Sequence, residues 1–88
     1  MTRRIEVLGF PNCQLLDVTG PLQVFATAND LSRAQGLPAP YTPVVVATQP
    51  RLVTSSRLAL EAEPLSPAAE PLDTLVIAGG WGVYDACL

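Results

Sequence analysis

Asp17 and the Gly79-Gly80 pair are the residues of this 88-residue chain whose types and neighbours could do chemistry. Asp17 lies in Gln14-Leu15-Leu16-Asp17-Val18-Thr19-Gly20-Pro21, after the apolar run 5–10 and before an amphipathic stretch over 21–34. Read as strand, loop and helix, this order puts a carboxylate on the loop leaving the C-terminal end of the first strand. Ligands of open α/β sheets bind at that end, because loop side chains and helix N-termini converge there. Asp17 is therefore the leading candidate for a functional residue. Its spacing to Gly20-Pro21 suits an Asx turn or a helix N-cap equally well. Gly79 and Gly80 close a second apolar run, 72–78. Glycines at a strand end permit positive φ and close approach, and their N–H groups can hold an oxyanion or carboxylate. A tight strand-to-helix turn needs the same glycines.

These residues require a scaffold of alternating elements. The run 5–10 predicts a strand, and residues 21–34 predict a helix with Leu22, Val24, Phe25, Ala28 and Leu31 as its core stripe. Gly36 and the prolines at 38 and 40 end that helix. Residues 41–48, rich in β-branched side chains, predict a strand buried on both faces, with Pro43 near its start. The order β-α-β predicts a parallel crossover. Residues 52–60 predict a short hairpin on a sheet edge, flanked by solvated Arg51 and Arg57. Residues 61–71 read as an irregular acidic connection, with Glu61, Glu63 and Glu70 in solvent. Residues 74–78 predict another central parallel strand, and the tail 83–88 a helix just beginning.

Composition limits the function. The chain is 49% hydrophobic and 15% charged, far from the disordered extreme, and its length suits one small domain. Its net charge is −3, and its five arginines are scattered, so no basic stripe is set to bind nucleic acid. There is no histidine, which removes the commonest general base and metal ligand. Cys13 and Cys87 lack metal-ligand spacing and read as free thiols. No metal site, and no cofactor, is expected. No apolar run approaches the roughly 20 residues that span a bilayer, and the N-terminus lacks a signal-peptide core, so a cytoplasmic chain is expected.

A resemblance sharpens this reading. Asp17, Gly20, Pro21 and Phe25 form Asp-x-x-Gly-Pro-x-x-x-Phe, followed by Ala28-Asn29, the Tyr41 strand and Leu72-Asp73-Thr74-Leu75-Val76-Ile77-Ala78-Gly79-Gly80. Together they resemble the ThiJ/PfpI group of the class I glutamine amidotransferase-like superfamily, over roughly residues 4–86. Within it, they are most similar to the N-terminal domain of AraC-type transcriptional regulators, and next to isonitrile hydratase-like enzymes. The resemblance implies a flavodoxin-like three-layer α/β sandwich with a mostly parallel sheet, truncated here, with residues 1–88 forming the N-terminal part of a single domain about twice as long. It also implies a nucleophilic cysteine on an elbow beyond the Gly-Gly strand, outside this chain. Neither Cys13 nor Cys87 matches it. Beside such a cysteine, Asp17 could hydrogen-bond a thiolate, orient a ligand or move a proton.

Two functions follow as expectations. One is a ligand-sensing or dimerising segment of a regulator that binds a small-molecule effector through Asp17, Gly20, Gly79 and Gly80, with DNA contacted by parts outside residues 1–88. The other is an enzyme segment in which Asp17 serves catalysis with a downstream cysteine. For residues 1–88 alone, no activated nucleophile and hence no catalytic residue is expected. One helix cannot cover both faces of a parallel sheet. A homo-oligomer burying parts of the 52–60 hairpin or the 81–88 tail is therefore expected.

Overall fold

A computed structural model of the protein describes residues 2–67 and 71–87. The elements run β1 (Arg3–Leu8), α1 (Leu15–Ala34), β2 (Tyr41–Val46), β3 (Arg51–Val53), β4 (Ala59–Glu61), β5 (Thr74–Ile77) and α2 (Val83–Ala86). β2, β1 and β5 form a three-stranded, wholly parallel sheet in that order, and β3 and β4 pair antiparallel as a separate ribbon. This is the mixed α/β, flavodoxin-like arrangement the alternating elements predict.

Side chains alternate across β1, so Ile5 and Val7 share one face and Glu6 and Leu8 the other. Register adds Val45 and Val76 to the first face. There Val7 joins Val18 of α1 in a core completed by Cys13, Leu52 and Ala78. The hairpin thus contributes Leu52 to the main core although its strands do not join the main sheet. On the second face, Glu6 is only 2% exposed, whereas Ile77 of β5 is 63% exposed. The connection around Ser66 covers the sheet over Glu6 and leaves it open over β5.

Three expectations are corrected. α1 begins at Leu15, not Pro21, which sits inside the helix. An interior proline removes one hydrogen bond and costs about 3 kcal/mol. Here the lost bond is to the Asp17 carbonyl, four residues back, and Gly20 relieves the steric clash that proline imposes on the residue before it. Burial of Val18 holds the extra turn in place. The helical stripe facing the sheet is then Val18, Leu22, Phe25 and Asn29, with Val24 and Leu31 on the opposite side, 66% and 61% exposed. Finally, β1 is the middle strand and β2 and β5 flank it, so β5 is not central, while β2 buries Val44 and Val46 on one face and packs half-buried Val45 against the core on the other. Pro43 in a flanking strand leaves no central ladder short of a donor. Glu61 and Glu63 are exposed, as expected, while Glu70 lies outside the described residues.

One polar side chain fastens the β-α-β unit. Asn29, buried on α1, donates from Nδ2 to the Tyr41 carbonyl (2.9 Å) and accepts from the Tyr41 N–H at Oδ1 (3.0 Å). The Tyr41 ring meets Phe25 edge-on at 4.9 Å between centroids. Asn29→Ala leaves both backbone groups at the start of β2 without these partners. We expect it to lower stability by about 1–2 kcal/mol in urea titration, while Asn29→Asp retains the acceptor and loses the donor.

Candidate functional site

The site is built where the end of β5 meets the start of α1. Gly79 follows β5 and is gripped from both sides: its N–H donates to Oδ2 of Asp17 (2.9 Å), and its carbonyl accepts from the Gln14 N–H (2.9 Å). Asp17 belongs to the first turn of α1, so it is on the helix rather than on the preceding loop. A carboxylate there also complements the positive end of the helix dipole. It is not the N-cap: Gln14 holds that position without a side-chain cap. The Asx-turn and N-cap alternatives thus give way to a bond spanning sixty-two residues of sequence.

Gly80 shapes the other half of the clamp. Its φ is +104°, and a Cβ there would stand 2.9 Å from the Gln14 backbone nitrogen. Next along, a Cβ on Gly82 would stand 2.5 Å from the Pro11 carbonyl oxygen. The glycine-rich segment therefore lies flush against the loop between β1 and α1. That loop is itself tied to the hairpin by Asn12 N–H to the Val53 carbonyl and Ser55 N–H to the Cys13 carbonyl, both 2.9 Å. Gly20 does not enter the clamp. It is exposed, with no atom within 4 Å of where its Cβ would be.

Asp17 is half-buried, and only Oδ2 is engaged among the described residues. No buried side-chain oxygen or nitrogen lacks a partner among those residues, so Oδ1 faces solvent. The clamp can present a fixed carboxylate oxygen to a cationic or hydroxyl-bearing ligand at the C-terminal end of the sheet. It holds no nucleophile. Cys13 is a free thiol buried in the core, and Cys87 is a free, exposed thiol at the end of α2. Trp81, beside the glycines, is 84% exposed and stacks on Tyr84 at 6.3 Å. A broad, open concavity lined by Pro50, Arg51, Leu60, Glu61 and Ala62 lies against the hairpin. Its charged residues are exposed, and neither Asp17 nor Gly79 borders it, so we place the site at the clamp.

Sequence reasoning passed over Glu6. Its Oε2 accepts from the Ser66 hydroxyl, the Ser66 N–H (3.2 Å) and the Arg4 Nε–H (2.9 Å). Alternation along β1 sets Glu6 on the face opposite Ile5 and Val7, but its partner Ser66 sits in an irregular segment with no readable pattern. The Ser66 hydroxyl, aided by Arg4, holds the Glu6 carboxyl below the ordinary glutamate range, against the opposing effect of burial. A carboxyl lowered in the folded state contributes stability above its unfolded pKa and loses it as pH falls toward the folded value. Denaturant midpoints should therefore decline on acidification below the ordinary glutamate range. That decline should be shallower in Glu6→Gln, whose neutral-pH stability should also be lower.

Among the described residues, no three histidine, cysteine, aspartate or glutamate side chains gather as metal ligands, and no helix is long and apolar enough to cross a membrane. No protein-family model matches the chain, and no curated protein does. Among solved structures it is similar to the crystal structure of an AraC family transcriptional regulator from Pseudomonas putida, with 29% identity and a TM-score of 0.71. The match covers 89% of this chain and 47% of that one. The chain thus spans about half the length of the regulator chain it matches.

Proposed function

We propose that residues 1–88 form the N-terminal part of the effector-sensing domain of an AraC-type transcriptional regulator, a domain of the ThiJ/PfpI kind acting in the cytoplasm. The observation that carries this reading is the clamp: the two segments singled out in the sequence, Asp17 and Gly79-Gly80, meet through a 2.9 Å hydrogen bond. Similarity to the Pseudomonas putida regulator supports the same reading. In this role the Asp17 carboxylate and the N–H groups near Gly80 bind a small effector, with Gly20 on the neighbouring turn. DNA is contacted by parts of the regulator outside this segment, because the arginines here are scattered.

The test compares the whole protein that carries this segment with the 88 residues alone. The whole protein should retard a specific promoter fragment in a mobility-shift assay, and the 88 residues should not. Neither should turn over isonitriles or peptides. A whole protein that ignores DNA and shows turnover abolished by Asp17→Asn would establish the enzyme reading instead.

A further inference from the structure

Arg57 holds a backbone conformation that arginine rarely adopts. Its φ is +76°, in the left-handed region, where a Cβ crowds the chain and glycine or asparagine is the usual occupant. Apart from glycines, one other described residue shares that region, Asn12 with φ +63°. The hairpin turn accounts for the backbone: Arg57 N–H donates to the Thr54 carbonyl and Thr54 N–H to the Leu58 carbonyl, both at 3.0 Å. A turn of this kind places a left-handed residue at its end, and glycine would fill that position without strain. The fold therefore requires the conformation but not the arginine, and strain kept without a local need points to a use for the side chain.

Charge singles out the same residue. The ion pairs among the described residues take Arg4 and Arg33. Arg3 starts β1, at the end of the sheet away from the clamp, and Arg51 stands across the hairpin ladder from Glu61. Arg57 is exposed, with no carboxylate at ion-pair distance among the described residues. Its turn is joined to the clamp by three hydrogen bonds in succession, each 2.9 Å. Ser55 N–H donates to the Cys13 carbonyl, Gln14 N–H to the Gly79 carbonyl, and Gly79 N–H to Asp17. An unpaired cation and the half-free Asp17 carboxylate thus border the same end of the sheet, separated by the Cys13–Gln14 peptide and Gly79.

We propose that Arg57 is a specificity-determining residue: it holds the carboxylate of an effector whose ammonium group is held by Asp17. This inference rests on the reading of the clamp as the effector site, and it names the class of ligand. An α-amino acid carries both charges on one carbon and does not reach from Asp17 past Gly79 and the Cys13–Gln14 peptide to the hairpin turn. The effector is an amino carboxylate with several carbons between its charges. The guanidinium grips both oxygens of a carboxylate in a planar fork, and it repels the second ammonium group of a diamine, so the pair of charges selects as well as binds. Exposure limits the strength. A solvent-exposed ion pair raises affinity by about two- to five-fold.

Amide-spectrum titrations of the isotope-labelled chain with 6-aminohexanoate and with its neutral amide test it, because the two ligands differ only at the carboxylate. Both should shift the clamp amides most, and 6-aminohexanoate alone should also shift those of Ser55, Ser56 and Arg57. It should bind about two- to five-fold more tightly than the amide, less so as salt is raised. Arg57→Gly removes the guanidinium and takes φ +76° without strain, so the rest of the spectrum should be kept. In that variant the two ligands should bind equally, with the amide bound as in the wild type. Arg57→Lys keeps the charge without the fork and should retain part of the preference. Equal affinity of the two ligands in the wild type, or a preference that survives Arg57→Gly, overturns the role of Arg57 and leaves the clamp reading in place. Saturable binding of neither ligand overturns the clamp as an effector site, and this inference with it.

Discussion

Gly80→Ala is expected to lower the stability of the chain by roughly 2–4 kcal/mol, through backbone strain and overpacking together. The backbone at Gly80 has φ +104°, a region that side chains rarely adopt, and the added Cβ would stand 2.9 Å from the Gln14 nitrogen. Backbone atoms cannot swing aside as a flexible side chain does. The β5-to-α2 turn would have to lift away from the start of α1, weakening the bonds that grip Gly79. For a domain this size the midpoint of thermal unfolding should fall by about 10–20 °C. Gly36→Ala is the control: φ there is +77°, but no atom lies within 4 Å of the added Cβ. It should cost less than half as much.

Asp17→Ala should be the most damaging substitution of a polar side chain at the site, at about 1.5–3 kcal/mol, because it removes a charge-assisted bond and strands the Gly79 N–H. Asp17→Asn keeps an acceptor oxygen at the same place and should cost about half as much. Urea titrations of the two variants separate loss of the acceptor from loss of its charge. If the two lose stability equally, the charge rather than the hydrogen bond holds the clamp. If neither loses any, the clamp does not anchor α1.

Much of this was legible in the sequence, for identifiable reasons. The three strands of the parallel sheet were readable because Ile5, Val7, Val44, Val46 and Val76 lie in short β-branched runs bounded by glycine and proline. The hairpin was readable from Leu52 and Leu60 around a polar turn. The start of α1 was not, because Pro21 reads as a first-turn residue, and only the buried Val18 and the grip on Gly79 reveal the extra turn. Buried Val18 and Asn29, with Leu22 and Phe25, define the face of α1 that packs, so Val24 and Leu31, which an apolar stripe over 21–34 alone places in the core, stand in solvent. For the site, residue types marked Asp17, Gly79 and Gly80, but local spacing could not show that Asp17 reaches across the fold instead of capping its own helix. Glu6 shows the same limit: its partner Ser66 is sixty residues away, in a segment without periodicity.

The central claim is that the Asp17–Gly79 clamp is where an effector is read. It is tested most directly by the amide spectrum of the isotope-labelled chain during titration with a panel of amino acids and simple amines. Such ligands match the free oxygen of Asp17. A ligand that binds saturably should shift the amides of Gln14, Asp17, Gly79 and Gly80 most, and Asp17→Asn should abolish those shifts while keeping the rest of the spectrum. Saturable shifts centred on the hairpin or on the outward face of α1, or shifts at the clamp that survive Asp17→Asn unchanged, would contradict the account.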